Sequence, residues 1–170
     1  MLLAKLLGLI AVLLQANRVE AIPGPLLLSM VPPTFERKCV MQFGSSFPVI
    51  LTNTSAKPVR VWRDWCSEGH NNISLEFRIA GVDRLIVRKQ ANWKRNFPDA
   101  AELAPGESIV FNVALSKEKW NDLDLLNEQV NQKVQLRVRY EVPLDKPAVE
   151  HRVFVGQMQT QFQEYTVKKP

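Results

Sequence analysis

The side chains of this chain that could do chemistry are few and scattered. Its two histidines are His70 and His151, and its two cysteines are Cys39 and Cys66. His70 stands four residues after Cys66, so a thiolate and an imidazole could face a soft metal such as copper or zinc, with Met41 or Met158 as a third ligand. Against that stand the reading of His70 as a polar loop residue and the consumption of the Cys66 thiol by a disulfide. The expectation is no metal and no cofactor. There is no Gly-x-Ser-x-Gly elbow, no His-Glu-x-x-His helix and no phosphate-cradling glycine loop, and glycine occurs only seven times. A Ser-His-Asp triad could assemble from distant strands, but both histidines lie in connecting segments. The chain is therefore read as a non-enzyme with no catalytic residues. Asp122, Asp124 and Asn127 offer oxygens within six positions, yet they lack the alternation and central glycine of a calcium loop, and read as a solvated helix face.

Recognition is the chemistry that remains. Trp93, Arg95 and Phe97 lie in a long connection, residues 91–103, and are the residue types that anchor interfaces. The competing reading is that Trp93 and Phe97 fold back to plug an open end of the domain. Trp62 and Trp65 pose the same choice: if Val59 and Val61 face the core, Trp62 points outward beside Arg60 and Arg63, unless residues 116–131 cover it. Arg84, Arg88, Lys89, Lys94 and Arg95 surround Trp93 in a pattern able to hold phosphate and stack bases, but interleaved charge on a strand is ordinarily a solvated face. Nucleic acid is not an expected partner.

Period-two alternation dominates the elements that must position these groups. Ile73, Leu75, Phe77 and Ile79 alternate with polar residues, as do Val134, Leu136, Val138, Tyr140 and Val142, and also Ile109, Phe111, Val113 and Leu115. Val153 and Val155 begin another run that continues through Met158, Thr160 and Phe162 after a bulge expected at Gly156. Turns fall at residues 80–83, 104–107 and 143–147, and Pro105-Gly106 suits a type II turn. Residues 116–131 predict a short helix or helical turn begun by Ser116. The fold class is all-β: an antiparallel immunoglobulin-like sandwich of about seven or eight strands with a short helical segment near 116–131.

Residues 1–21 have the layout of a signal peptide: Lys5, an apolar run at 6–14, and cleavage after Ala21 or, as an alternative, Ala16. Its removal lowers the formal net charge of +5 by one and leaves no membrane span. Residues 22–34 then form an extended lead-in or edge strand, and 35–170 a single sandwich domain. The expected location is secreted or periplasmic, where a Cys39–Cys66 disulfide would contribute about 3 to 4 kcal/mol. Asn53-Thr54-Ser55 and Asn72-Ile73-Ser74 are glycan acceptors if the secretory route is eukaryotic.

Phe47-Pro48-Val49, Asn53-Thr54-Ser55, Lys57-Pro58-Val59 and the Leu103-Ala104-Pro105-Gly106-Glu107 turn together resemble the immunoglobulin-like sandwiches of exported bacterial proteins. Among these the chain is weakly similar to BsuPI proteinase-inhibitor-like domains. The resemblance spans residues 35–167 and implies a fold; it carries no site residues. The functional expectation is an exported module that binds a protein or cell-envelope component. The alternatives are a protease inhibitor presenting the 91–103 loop and a copper or zinc carrier.

Overall fold

The computed structural model describes residues 24–35, 38–94, 97–126 and 131–168. The expected signal peptide, residues 1–21, lies outside them, as do Arg95 and Asn127.

The fold is an all-β sandwich of mostly antiparallel sheets. One sheet contains β1 (Leu26–Met30), β4 (Ser46–Asn53) and β9 (Ser108–Ala114), in the order β1-β4-β9. The larger sheet runs β2 (Thr34–Phe35), β3 (Lys38–Gln42), β12 (Gln163–Lys168), β10 (Gln132–Val142), β6 (Ile73–Ile79) and β7 (Val82–Val87), with β11 (Gly156–Gln159) also paired to β10. A two-stranded ribbon pairs β5 (Val59–Trp62) with β8 (Ala100–Leu103). Pairing is antiparallel except between β3 and β12, which run parallel. The lead-in is thus the edge strand β1, held in register on β4 from Leu26 opposite Asn53 to Met30 opposite Val49.

Alternation in sequence becomes alternation in burial. In β10, Val134, Leu136, Val138, Tyr140 and Val142 are all buried, and they meet Ile73, Leu75 and Phe77 of β6 and Phe47, Val49 and Leu51 of β4 in one continuous core. Phe111 of β9 stacks on Tyr140 of β10 with ring centroids 6.1 Å apart, which joins the two sheets. On the outward face of the larger sheet the charges pair across strands. Arg137 donates two hydrogen bonds of 2.9 Å to the Glu76 carboxylate, and Arg78 donates at 2.6 and 2.9 Å to Asp83. The Phe162 ring lies 4.1 Å from the Arg78 guanidinium carbon and 4.4 Å from that of Arg137.

The expected turns form. Gly106 adopts φ +81°, Glu107 N–H donates to the Ala104 carbonyl at 2.9 Å, and the Glu107 carboxylate accepts from Ala104 N–H at 2.8 Å. The β6–β7 hairpin turns on Ala80 and Gly81, both at positive φ. Three local expectations change. Gly156 does not interrupt a strand but opens β11 at φ +148°, and Val153 instead bridges to Arg60 in parallel. The helix expected over 116–131 shrinks, among the described residues, to a 3-10 turn at Leu123–Leu125: the Ser116 hydroxyl bonds the Glu118 carboxylate instead of a backbone N–H, and Asp122 takes φ 53°, which stops propagation. Among the described residues two other short helices are present, α1 (Ser67–His70) and α2 (Lys146–His151). Asp145 caps α2 by accepting from Ala148 N–H at 2.8 Å, with a proline in the first turn.

Candidate functional site

The β5–β8 ribbon decides which loops meet. Trp62 pairs with Ala100, and Arg63 N–H donates to the Asp99 carbonyl at 3.0 Å, so the segment leaving β5 and the segment entering β8 run side by side. Trp62 is not on an outer face; it is buried, 2% exposed, with its ring 5.1 Å from that of His151. The reason is that β5 is covered on both sides: Phe154 N–H donates to the Arg60 carbonyl at 2.8 Å, which draws the exit of α2 along the ribbon. It is α2, through His151, that packs on Trp62.

The segment 63–70 is tightly wound. A Cβ added to Gly69 would lie 1.9 Å from the Arg63 carbonyl oxygen, so only glycine permits this approach. Inside the turn the buried Cys66 thiol donates to the Arg63 carbonyl at 3.2 Å. Cys39 sits on β3, opposite Thr34 and 3.1 Å from the Gln163 amide nitrogen that donates to it. Both cysteines are free thiols, and the expected Cys39–Cys66 bridge is absent: one sulfur points into its own loop and the other toward β12. The proposed soft-metal set does not assemble either. His70 Nε2 is 3.1 Å from the Lys89 carbonyl, Met41 is buried in β3, and among the described residues no three His, Cys, Asp or Glu side chains gather as a metal site.

Trp65 emerges from this wound segment and is 60% exposed. Its indole N–H donates to the Asp99 carboxylate at 2.8 Å, and the Arg63 guanidinium, 3.5 Å from the same carboxylate, lies 4.9 Å from the indole centroid. Two residues before Asp99, Phe97 is 76% exposed and does not plug the fold. The ring planes are therefore presented to solvent on a clasped backbone. Trp93 is half-buried, edge-on to His70 at 5.5 Å.

His70 also lines a cleft of about 300 Å³, together with Asp64, Arg88, Lys89, Glu118 and Trp120, among others. Arg88 Nη2 lies 3.6 Å from Asp64 Oδ2, and its guanidinium carbon is 5.6 Å from the Trp120 ring. The Trp120 indole N–H donates to the Ala114 carbonyl at 2.7 Å, which fixes that wall. The buried Tyr140 hydroxyl, outside the cleft lining, is held neutral because burial drives its ionisation far above the usual phenol range. The basic stretch is thereby divided: Arg84 is on the exposed edge strand β7, whereas Arg88 is turned into the cleft. Asp124, expected on a helix face, pairs with Lys117.

Neither glycan acceptor is presentable in the folded domain. Asn53 is fully buried, donating at 2.8 Å to both the Lys57 and Leu103 carbonyls, and Asn72 is 5% exposed. Among the described residues no helix is long and apolar enough to cross a membrane.

Asp99, Asp64 and Trp120 are the site residues that sequence reasoning missed. Their partners Arg63, Trp65 and Arg88 lie 24 to 36 positions away, and no local pattern marks them.

No family model matches the chain, and no curated protein matches it. A solved structure it is similar to is a trypsin-activated alpha-2-macroglobulin from Escherichia coli, at 14% identity and a TM-score of 0.35. That alignment covers 87% of this chain and 8% of the other, so the chain spans under a tenth of that protein's length.

Proposed function

We propose that this protein is an exported, non-catalytic sandwich that binds a protein or cell-envelope component through the surface of Trp65, Phe97 and Trp93. The observation that carries the reading is the clasp at Asp99. It holds a 60% exposed tryptophan and, two residues away, a 76% exposed phenylalanine on adjoining backbone segments. Exposed aromatics cost solubility unless they meet something, and aromatics on a fixed backbone lose little entropy when they do. Residues 22–170, offered as bait to native envelope extract beside a Trp65→Ala/Phe97→Ala variant of unchanged melting temperature, test it. Retention of a partner by the parent and its loss from the variant is expected. Equal retention by both, or no specific partner, overturns the reading.

A second reading is favoured by one observation. Residues 91–94 and 97–99 lie outside the strands and expose Lys94 and Phe97, and Asp99 is fixed by Arg63 and Trp65, as a protease-inhibiting loop must be at its end. It accords with the resemblance to BsuPI proteinase-inhibitor-like domains. In that case a trypsin-like enzyme is inhibited and cuts at Lys94 slowly. Rapid cutting without inhibition removes it.

A further inference from the structure

Arg88 is a largely buried charge whose side chain lines the cleft. Its side chain is 11% exposed, and its ion partner among the described residues, Asp64, stands at 3.6 Å. A guanidinium offers five N–H donors in a planar fork, and a well-formed carboxylate pair closes to about 2.7–2.9 Å, twice over. Elsewhere in this chain that closure is achieved: Arg137 meets Glu76 with two bonds of 2.9 Å. At Arg88 the fork instead opens on the 300 Å³ cleft, over the fixed ring of Trp120.

The rest of the lining sets the ligand's character. Lys89, Lys119 and Arg88 contribute three positive charges against the two of Asp64 and Glu118, and Glu118 is already engaged by Ser116. Trp120, Ala91 and Ala114 give apolar wall. Asp64 stands where an incoming carboxylate would stand, held too far off to complete the contact.

We propose that this cleft is a binding site for a small ligand bearing one carboxylate on an apolar body, with the Arg88 fork taking the carboxylate and Ala91 and Ala114 packing on the body. The site is separate from the exposed Trp65 and Phe97 surface. The cleft volume lies at the small end of ligand pockets, which suits a ligand of amino-acid size.

The test is calorimetric titration of residues 22–170 with N-acetylphenylalanine and with its neutral amide. The acid binds and the amide binds at least tenfold more weakly. Arg88→Lys keeps the charge and loses the fork, and weakens the acid at least tenfold even if Arg88→Gln fails to fold. Asp64→Asn removes the internal competitor and tightens the acid severalfold, an effect that a merely structural role for the pair would not produce. Trp65→Ala and Phe97→Ala leave the affinity unchanged, so failure of the proposed partner surface and failure of this site are told apart. A peptide ending in phenylalanine with a free carboxyl distinguishes the sources: binding equal to the acid assigns the cleft to chain termini, and binding of the small acid alone assigns it to free metabolite-sized carboxylates. Equal affinity for acid and amide, no binding of either at millimolar concentration, unchanged affinity in Arg88→Lys, or inorganic phosphate competing as well as the acid itself overturns the proposal.

Discussion

Replacing Asn53 by alanine should destabilise the domain by about 3 kcal/mol. The side chain is 0% exposed and makes four hydrogen bonds: its amide donates at 2.8 Å to the carbonyls of Lys57 and Leu103, and its oxygen accepts from the Ser55 N–H at 2.9 Å and the Ser55 hydroxyl at 2.8 Å. Water can reach the Ser55 and Lys57 groups, so losing those bonds costs roughly 1 kcal/mol together; the buried Leu103 carbonyl is left bare, at about 2 kcal/mol. For a chain of this size about 3 kcal/mol corresponds to a fall of roughly 6–12 °C in melting temperature. Urea denaturation of Asn53→Ala beside Thr52→Ala isolates the effect. Thr52 makes a single exposed bond of 2.8 Å to Ser108 and should change stability by no more than about 0.5 kcal/mol. The midpoint of Asn53→Ala should drop with its slope unchanged. A loss below about 1 kcal/mol would refute the claim that this amide clasps the corner.

Gly69→Ala should cost about 3 kcal/mol, because the added Cβ would lie 1.9 Å from the Arg63 carbonyl oxygen and force the turn apart, checked by the same denaturation; near-neutral behaviour would contradict the winding of residues 63–70. Ala80→Asn should stabilise by about 0.5–1 kcal/mol, since Ala80 sits at φ 49° beside Gly81 and asparagine tolerates that region. Thiol titration without reductant should find both cysteines reactive in denaturant and Cys66 protected in the native state, and absence of thiol would restore the disulfide. The Asp83 carboxyl is held below the usual carboxylate range by its hydrogen bond from Arg78. Its contribution is therefore present above about pH 4 and fades as pH falls through the lower folded value. In Arg78→Gln the NMR titration of Asp83 should move back upward.

The strands were legible because their signal is local. Every apolar residue in the alternation of β10 is buried, and the Pro105-Gly106 turn needs nothing beyond its own four residues. Two of the four fragments behind the fold resemblance, the Asn53 corner and the 103–107 turn, prove to be one assembly: Asn53 donates to Leu103, Asn53 N–H donates to the Glu107 carbonyl, and Gly106 N–H donates to the Asn53 carbonyl. Trp62 was misplaced because alternation assigns faces without saying what covers them. The cysteine pair was inferred from compartment, and compartment does not set distance. At the candidate site the aromatics of recognition were visible as residue types, yet Asp99 and Asp64 were not: their meaning depends on the β5–β8 ribbon, which brings residues 63–65 to residue 99.

The parallel pairing of β3 with β12 has a kinetic consequence. Val40, Met41 and Gln42 pair with Thr166, Val167 and Lys168, so completing the larger sheet requires the late strand to return to an early one across most of the chain. Such closure is entropically slow and cannot be rehearsed by a growing polypeptide whose β12 has not yet been made. Until then β3 has only the two-residue β2 at its side, and Tyr165 and Val167 are missing from the core. The sandwich should consequently lock late and all at once, with the last strand of the chain as the piece that completes it.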